Sequence, residues 1–155
     1  MDEIDAADAN VLLVINQALA NGPLSFPNRI RQPQAKRHPD FVLIAAANTF
    51  GRGANRMYVG RNQLDESTLD RFRIGQVVMD YDRELEESIL GDTGLLERLW
   101  SIRRQAAECQ LRRVVSTRFI AKAAIMRAAG WSSERVIGQL VCGWTQDERS
   151  KVGVN

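Results

Sequence analysis

Residues 41–53 read FVLIAAANTFGRG. Six apolar residues, Phe41 to Ala46, run through Ala47 into Asn48 and then into a glycine–arginine turn. An unbroken apolar run bounded by turn residues predicts a strand buried on both faces of a parallel sheet. Open α/β sheets gather their ligands at the carboxyl ends of such strands. An asparagine there can hold a water or a phosphate oxygen without adding charge. The plainer reading of Asn48 is a strand-end cap.

Working outward, DAADANVLLVINQALANG (5–22) has apolar positions Val11, Leu12, Ile15, Ala18 and Leu19 at helical spacing, and Gly22 stops it. All four prolines fall between residues 23 and 39, so that segment is neither helix nor central strand. Within it, Leu24 to Phe26 and Ile30 to Arg31 are expected to be the two arms of a short hairpin around PNR (27–29). GRGANRMYVGRNQ (51–63) reads as a long loop, LDESTLDRF (64–72) as a short helix, and RIGQVVM (73–79) as a second strand.

Past Asp82 the pattern is helical throughout, over roughly 82–90, 94–111, 116–129, 132–142 and 145–152. Ser116 is an expected N-cap, Gly130 a C-terminal stop, and TQDE (145–148) an expected capping box. Leu96, Leu99, Phe119, Ile120, Val136, Ile137 and Leu140 are expected to face a common core. The organisation expected is an α/β portion over 1–80 and an all-helical portion over 81–155.

Composition bounds the function. A 45% apolar, 26% charged chain is ordinary for a globular protein, and a net charge of +2 does not demand a polyanionic partner. The basic cluster Arg29, Arg31, Lys36 and Arg37 reads first as a solvated hairpin. Cys109 and Cys142 share no short metal-ligand spacing and read as reduced thiols. No apolar run approaches the ~18 residues that span a bilayer, so no membrane partner is expected. His38 has no cysteine or histidine partner nearby in the sequence and reads as a loop residue, and Trp100, Trp131 and Trp144 as core.

Three polar signals sit where strands are expected to end: Asp2 with Glu3, Asn48, and Arg71 within LDRF (69–72). An adjacent acidic pair suits one carboxylate for Mg²⁺ and the next for polarising water. An arginine on a neighbouring helix suits the charge of a transferring phosphoryl group. Arg71 has a structural alternative, a salt bridge to Asp70 or Asp65, and Arg52, Arg56 and Arg61 compete for the same role.

In this order, MDEIDAADANVLLVINQAL, HPDFVLIAAANTFGRG and LDESTLDRFRI resemble the AAA+ ATPases of the MoxR and cobaltochelatase CobS-like, dynein-related group. The resemblance covers residues 1 to about 90 and more weakly the helical end. It implies a partial P-loop NTPase parallel sheet followed by an all-helical lid. Asp2 and Glu3 then correspond to the Walker B pair, Asn48 to sensor 1, Arg71 to an arginine finger acting on a neighbouring subunit, and Arg118 to sensor 2. The resemblance further implies ATP and Mg²⁺ as cofactors, a ring homo-oligomer, a protein substrate to be remodelled, and a cytoplasmic location; a nucleic-acid partner is not expected.

One departure stands out. G-x-x-x-x-G-K-[ST] is absent, and none of Lys36, Lys122 and Lys151 follows a glycine. That loop supplies most of the grip on a triphosphate. The expectation is therefore the C-terminal part of a longer ATPase, inactive by itself. The alternative of another class is a non-enzymatic binding module that contacts protein or nucleic acid through the basic hairpin 24–38.

Overall fold

The computed structural model describes every residue except Asn21, Pro27 and Asn155. The chain divides into two compact units, Met1–Val77 and Val78–Asn155.

In the first unit, a 3-10 turn (Ile4–Ala6) leads into helix α1 (Ala9–Leu19). Asp8 caps α1, its carboxylate accepting from Asn10 N at 2.8 Å. Strands β1 (Leu24–Ser25) and β2 (Gln34–Ala35) form an antiparallel pair, with Leu24 opposite Ala35 and Ser25 opposite Gln34. The returning arm thus lies at 34–35 and not at 30–31. Phe26 N donates to Pro33 O at 2.6 Å, closing a longer tip: proline cannot donate, but its carbonyl accepts. The turn expected at 27–29 begins with Pro27, which lies outside the described residues. Helix α2 (Glu66–Arg71) is capped by Asp65, which accepts from Thr68 N at 2.8 Å and from Ser67 Oγ at 2.5 Å.

The core of this unit is small. Ile4, Leu12 and Leu64 are buried, and Ala7, Ile15, Ala45, Leu69 and Phe72 pack against them. Gly51 seals it, its carbonyl accepting from Leu64 N at 2.8 Å. Its φ of +73° is glycine territory, and a Cβ there would stand 2.5 Å from Leu69 Cδ2.

The expected parallel P-loop sheet is not formed. Among the described residues the only sheet is the two-stranded antiparallel β1–β2 pair. Residues 41–47 form no regular element and make few backbone bonds: Met1 N to Ile44 O at 2.7 Å, Ala46 N to Met1 O at 2.9 Å, Ile4 N to Ala46 O at 3.0 Å, and Phe41 N to His38 O at 3.0 Å. The first two are the bonds a parallel pair makes around one residue, Met1; the third comes from Ile4 where a regular ladder would use Glu3, so the pattern breaks there. Ala45 packs on the core, while Val42 and Ile44 stand 77% and 76% exposed. Residues 73–79 are no strand either: Gly75 turns the chain at φ +82°, and Ile74 is 98% exposed. Apolar composition gives a segment strand propensity, but a ladder also needs a backbone paired along its length, and here Met1 and Ile4 meet the segment at only a few points.

The described residues of the second unit form five helices, α3 (Arg83–Leu90), α4 (Thr93–Glu108), α5 (Thr117–Ala128), α6 (Ser133–Leu140) and α7 (Gln146–Lys151). Each begins on a side-chain cap, in turn Asp82, Asp92, Ser116, Ser132 and Thr145. The last is a capping box: Thr145 Oγ1 accepts from Glu148 N, and Glu148 Oε2 accepts from Thr145 N. Gly91 ends α3 in the left-handed conformation.

Leu96, Leu99, Ile120, Val136, Ile137 and Leu140 are buried together, with Phe119 half-buried against them. The cluster holds fifteen buried residues, against three in the first unit, so most of the apolar driving force of the chain acts here. One carboxylate of this unit, Glu86, is buried at 0% exposure. It accepts from both guanidinium nitrogens of Arg103 at 2.9 and 2.8 Å, from Thr117 Oγ1 at 2.7 Å and from Trp100 Nε1 at 2.8 Å. Arg103 also donates to Val115 O at 2.7 Å and lies against the rings of Tyr81 and Trp100. Burial pushes the Glu86 carboxyl up, but Arg103, Thr117 and Trp100 together hold it below its ordinary value. Among the described residues no helix is long and apolar enough to cross a membrane.

Candidate functional site

The polar residues singled out in the first unit converge from three segments. Ile4 is buried and donates its N–H to Ala46 O, pinning the start of the chain beside the 41–47 segment. This sets Glu3 near Asn48, forty-five residues on, with Asn48 Nδ2 donating to Glu3 Oε1 at 3.4 Å. Glu3 itself sits at φ +52°, ψ +46°, the left-handed conformation. For a residue with a Cβ that conformation costs about 1–2 kcal/mol, which the surrounding bonds must hold in place.

The third segment is the loop 52–63. An antiparallel bridge between Arg52 and Gln63 closes it, and Asn55 organises its tip by accepting from Met57 N and Tyr58 N. The loop returns Arg61, whose Nη2 meets Glu3 Oε1 at 3.0 Å and whose Nη1 meets Asp5 Oδ1 at 3.4 Å. Asp5 is fully buried, and its other oxygen accepts from Thr49 N at 2.9 Å and Thr49 Oγ1 at 2.8 Å. Asp5 also accepts from Asn62 N through its main-chain carbonyl at 2.7 Å. Asp5 thereby ties the Asn48–Thr49 corner and the Arg61 loop to one buried charge.

The electrostatics follow from these contacts. The hydrogen bond and charge of Arg61 hold the Glu3 carboxyl below its ordinary value, with Asn48 adding in the same direction and partial burial and Asp5 opposing. Glu3 is therefore an ionised acceptor, and while Arg61 is on it, a weakened base. Asp2 is exposed, its carboxylate accepting from Glu3 N at 2.9 Å. Among the described residues no cluster of three or more His, Cys, Asp and Glu could hold a metal ion. Asp2 alone is not a cation site, yet it meets the need of a Mg²⁺ held by one carboxylate, waters and phosphate oxygens.

Arg71 is the exposed last residue of α2. Its structural alternatives are occupied elsewhere, since Asp65 caps α2 and Asp70 pairs with Arg73 at 3.3 Å. Arg52 and Arg56 are exposed on the loop. Arg118 is exposed in the first turn of α5, in the other unit.

Asp5 and the pairing role of Arg61 were missed in the sequence. Asp5 reads there as one more acid at a helix start, and Arg61 as one of four candidate arginines. The available signal was the sequence Asp2-Glu3-Ile4-Asp5, in which a second acid follows the buried isoleucine. No family model, no curated protein and no solved structure matches this chain.

Proposed function

We propose that this chain carries the water-activating part of a nucleoside triphosphate hydrolysis centre, as part of an AAA+ ATPase that couples hydrolysis to remodelling a protein partner. The observation that carries this reading is the pairing of Glu3, held in a left-handed conformation, with Asn48 at the end of the apolar 41–47 segment. Glu3 is the group that draws the proton from the attacking water, and Asn48 steadies both that carboxylate and the water. Asp2 would hold Mg²⁺, which when bound neutralises charge on the phosphates. Arg71, exposed and without an ion pair among the described residues, is free to reach a neighbouring subunit of a ring, and Arg118 is the candidate contact from the helical unit to phosphate. A phosphate drawing Arg61 away would restore the basicity that Arg61 now suppresses in Glu3. The exposed free thiols of Cys109 and Cys142 suit a reducing, cytoplasmic setting.

The phosphate-gripping loop is not among these 155 residues, so this reading takes it from another segment. The first test is the reading frame upstream of Met1. A glycine-rich phosphate loop there is expected; a frame without one leaves the chain a non-enzymatic binding module. In the polypeptide that carries both, Glu3→Gln should bind ATP normally and turn it over about 10²–10⁴ times more slowly. Turnover within threefold of the parent would remove Glu3 from the chemistry.

A further inference from the structure

From Ala9 to Pro39 the chain contains no aspartate or glutamate, although it carries Arg29, Arg31, Lys36 and Arg37. A whole-chain charge of only +2 conceals this local excess. The β1–β2 hairpin gathers these charges onto one projection. Its base is fixed by the Leu24–Ala35 and Ser25–Gln34 pairs, by the Phe26 N to Pro33 O bond, and by Arg37, which donates to Leu19 O at the end of α1 at 2.9 Å. Its tip is free. Ile30 is 97% exposed, Arg29 and Arg31 flank it, and neither arginine forms an ion pair among the described residues. Arg29 lies over the Phe26 ring at 5.1 Å, which holds its stem without neutralising its charge. Arg29, Arg31 and Gln32 line an open concavity of about 550 Å³.

We infer that this tip docks a protein segment in which carboxylates flank an apolar side chain. Two unpaired guanidiniums call for carboxylates, which they bind in a planar, two-pronged geometry. An isoleucine held almost wholly in water calls for an apolar contact. A nucleic-acid strand answers only the first demand. Such strands are held by base stacking on aromatic side chains, and the one aromatic at this tip, Phe26, is covered by Arg29. The inference names the chemistry of a protein partner and does not depend on whether the chain takes part in ATP hydrolysis.

The test uses this chain, isotope-labelled, titrated at low salt with three probes followed by NMR shifts and fluorescence anisotropy. The probes are a synthetic peptide with the core Glu-Asp-Leu-Asp-Glu, the same peptide with serine for leucine, and an oligothymidylate of similar charge. The leucine peptide should shift the amides of Arg29 to Gln32 selectively. It should bind at least about threefold more tightly than the serine peptide, as one buried apolar side chain allows. Binding should weaken at least tenfold in Arg29→Glu/Arg31→Glu and fall steeply with added salt, because exposed charges are screened. Ile30→Ser should erase the preference for leucine while leaving the salt dependence. If the oligothymidylate binds the tip more tightly than the leucine peptide, the surface is for nucleic acid and the inference is wrong. Shifts that avoid residues 29–32 with every probe, or equal binding by the double variant, overturn it outright.

Discussion

The two halves of this molecule spend similar lengths of chain on different ends. The helical unit buries a cluster of fifteen side chains and one fully hydrogen-bonded carboxylate, Glu86. Among its described residues the first unit buries three hydrophobic side chains, leaves Val11, Leu13, Val14, Val42, Ile44 and Phe50 exposed, and assembles Glu3, Asp5, Asn48, Thr49 and Arg61 instead. The difference separates two sources of order. In the helical unit, order comes chiefly from apolar burial spread over many contacts. In the first unit it comes from a few bonds between distant segments, so it should open at lower free energy.

The largest effect is expected at Glu86. Glu86→Ala leaves the Arg103 guanidinium buried without its partner, and breaking such a pair costs about 3–5 kcal/mol. Urea unfolding followed by circular dichroism should show the midpoint falling by a corresponding amount. A loss below about 1 kcal/mol would mean that Arg103 is held by Tyr81 and Trp100 and not by the carboxylate.

Close behind is a cavity test. Leu99→Ala, at a wholly buried site, should cost about 2–5 kcal/mol, whereas Val42→Ala, at an exposed one, should stay within about 0.5 kcal/mol. Equal effects at the two positions would show that the first unit buries Val42 in solution.

A smaller effect is expected from acid. Glu148 is held down to about 2 by its hydrogen bonds with Arg113 and the Thr145 N–H, and Glu86 is also held below its ordinary value. Because both carboxyls titrate lower folded than unfolded, their contributions are complete above about 4.5 and are lost as the pH falls toward 2. Stability of the helical unit should therefore be flat from neutral pH to about 5 and then decline. In Glu148→Gln the decline should be shallower; an unchanged acid limb would remove that residue from the account.

The smallest expected effect is at a cap. Thr145→Ala removes half of the capping box and should cost about 1 kcal/mol. Hydrogen exchange along α7 should rise while α4 stays protected.

How much of this was legible follows the same division. Ser116, the Thr145–Glu148 box and the helical spacing of Leu96, Leu99, Val136 and Ile137 are local signals, and residues a few positions apart carry them completely. The 41–47 run was misread because its composition is local but its ladder is not: nothing in Phe41 to Ala47 states whether another backbone lies alongside. The hairpin was legible in its first arm and displaced in its second, since closure by Pro33 depends on an acceptor that alternation does not reveal. Glu3 and Asn48 were each singled out by the order of motifs, but their contact across forty-five positions was not. Nor was the Asp5–Arg61 pair, because an ion pair across fifty-six positions leaves no mark in either neighbourhood.

The placement of the tryptophans has an optical consequence. Trp100, Trp131 and Trp144 all belong to the helical unit, and the Trp100 indole donates to Glu86 beside the Arg103 guanidinium. Tryptophan emission from this chain is thus a built-in gauge of one half alone. A denaturation curve read at that wavelength would describe the helices faithfully and pass in silence over the half that holds the candidate site. A tryptophan at the exposed Phe50 would give that half a signal of its own.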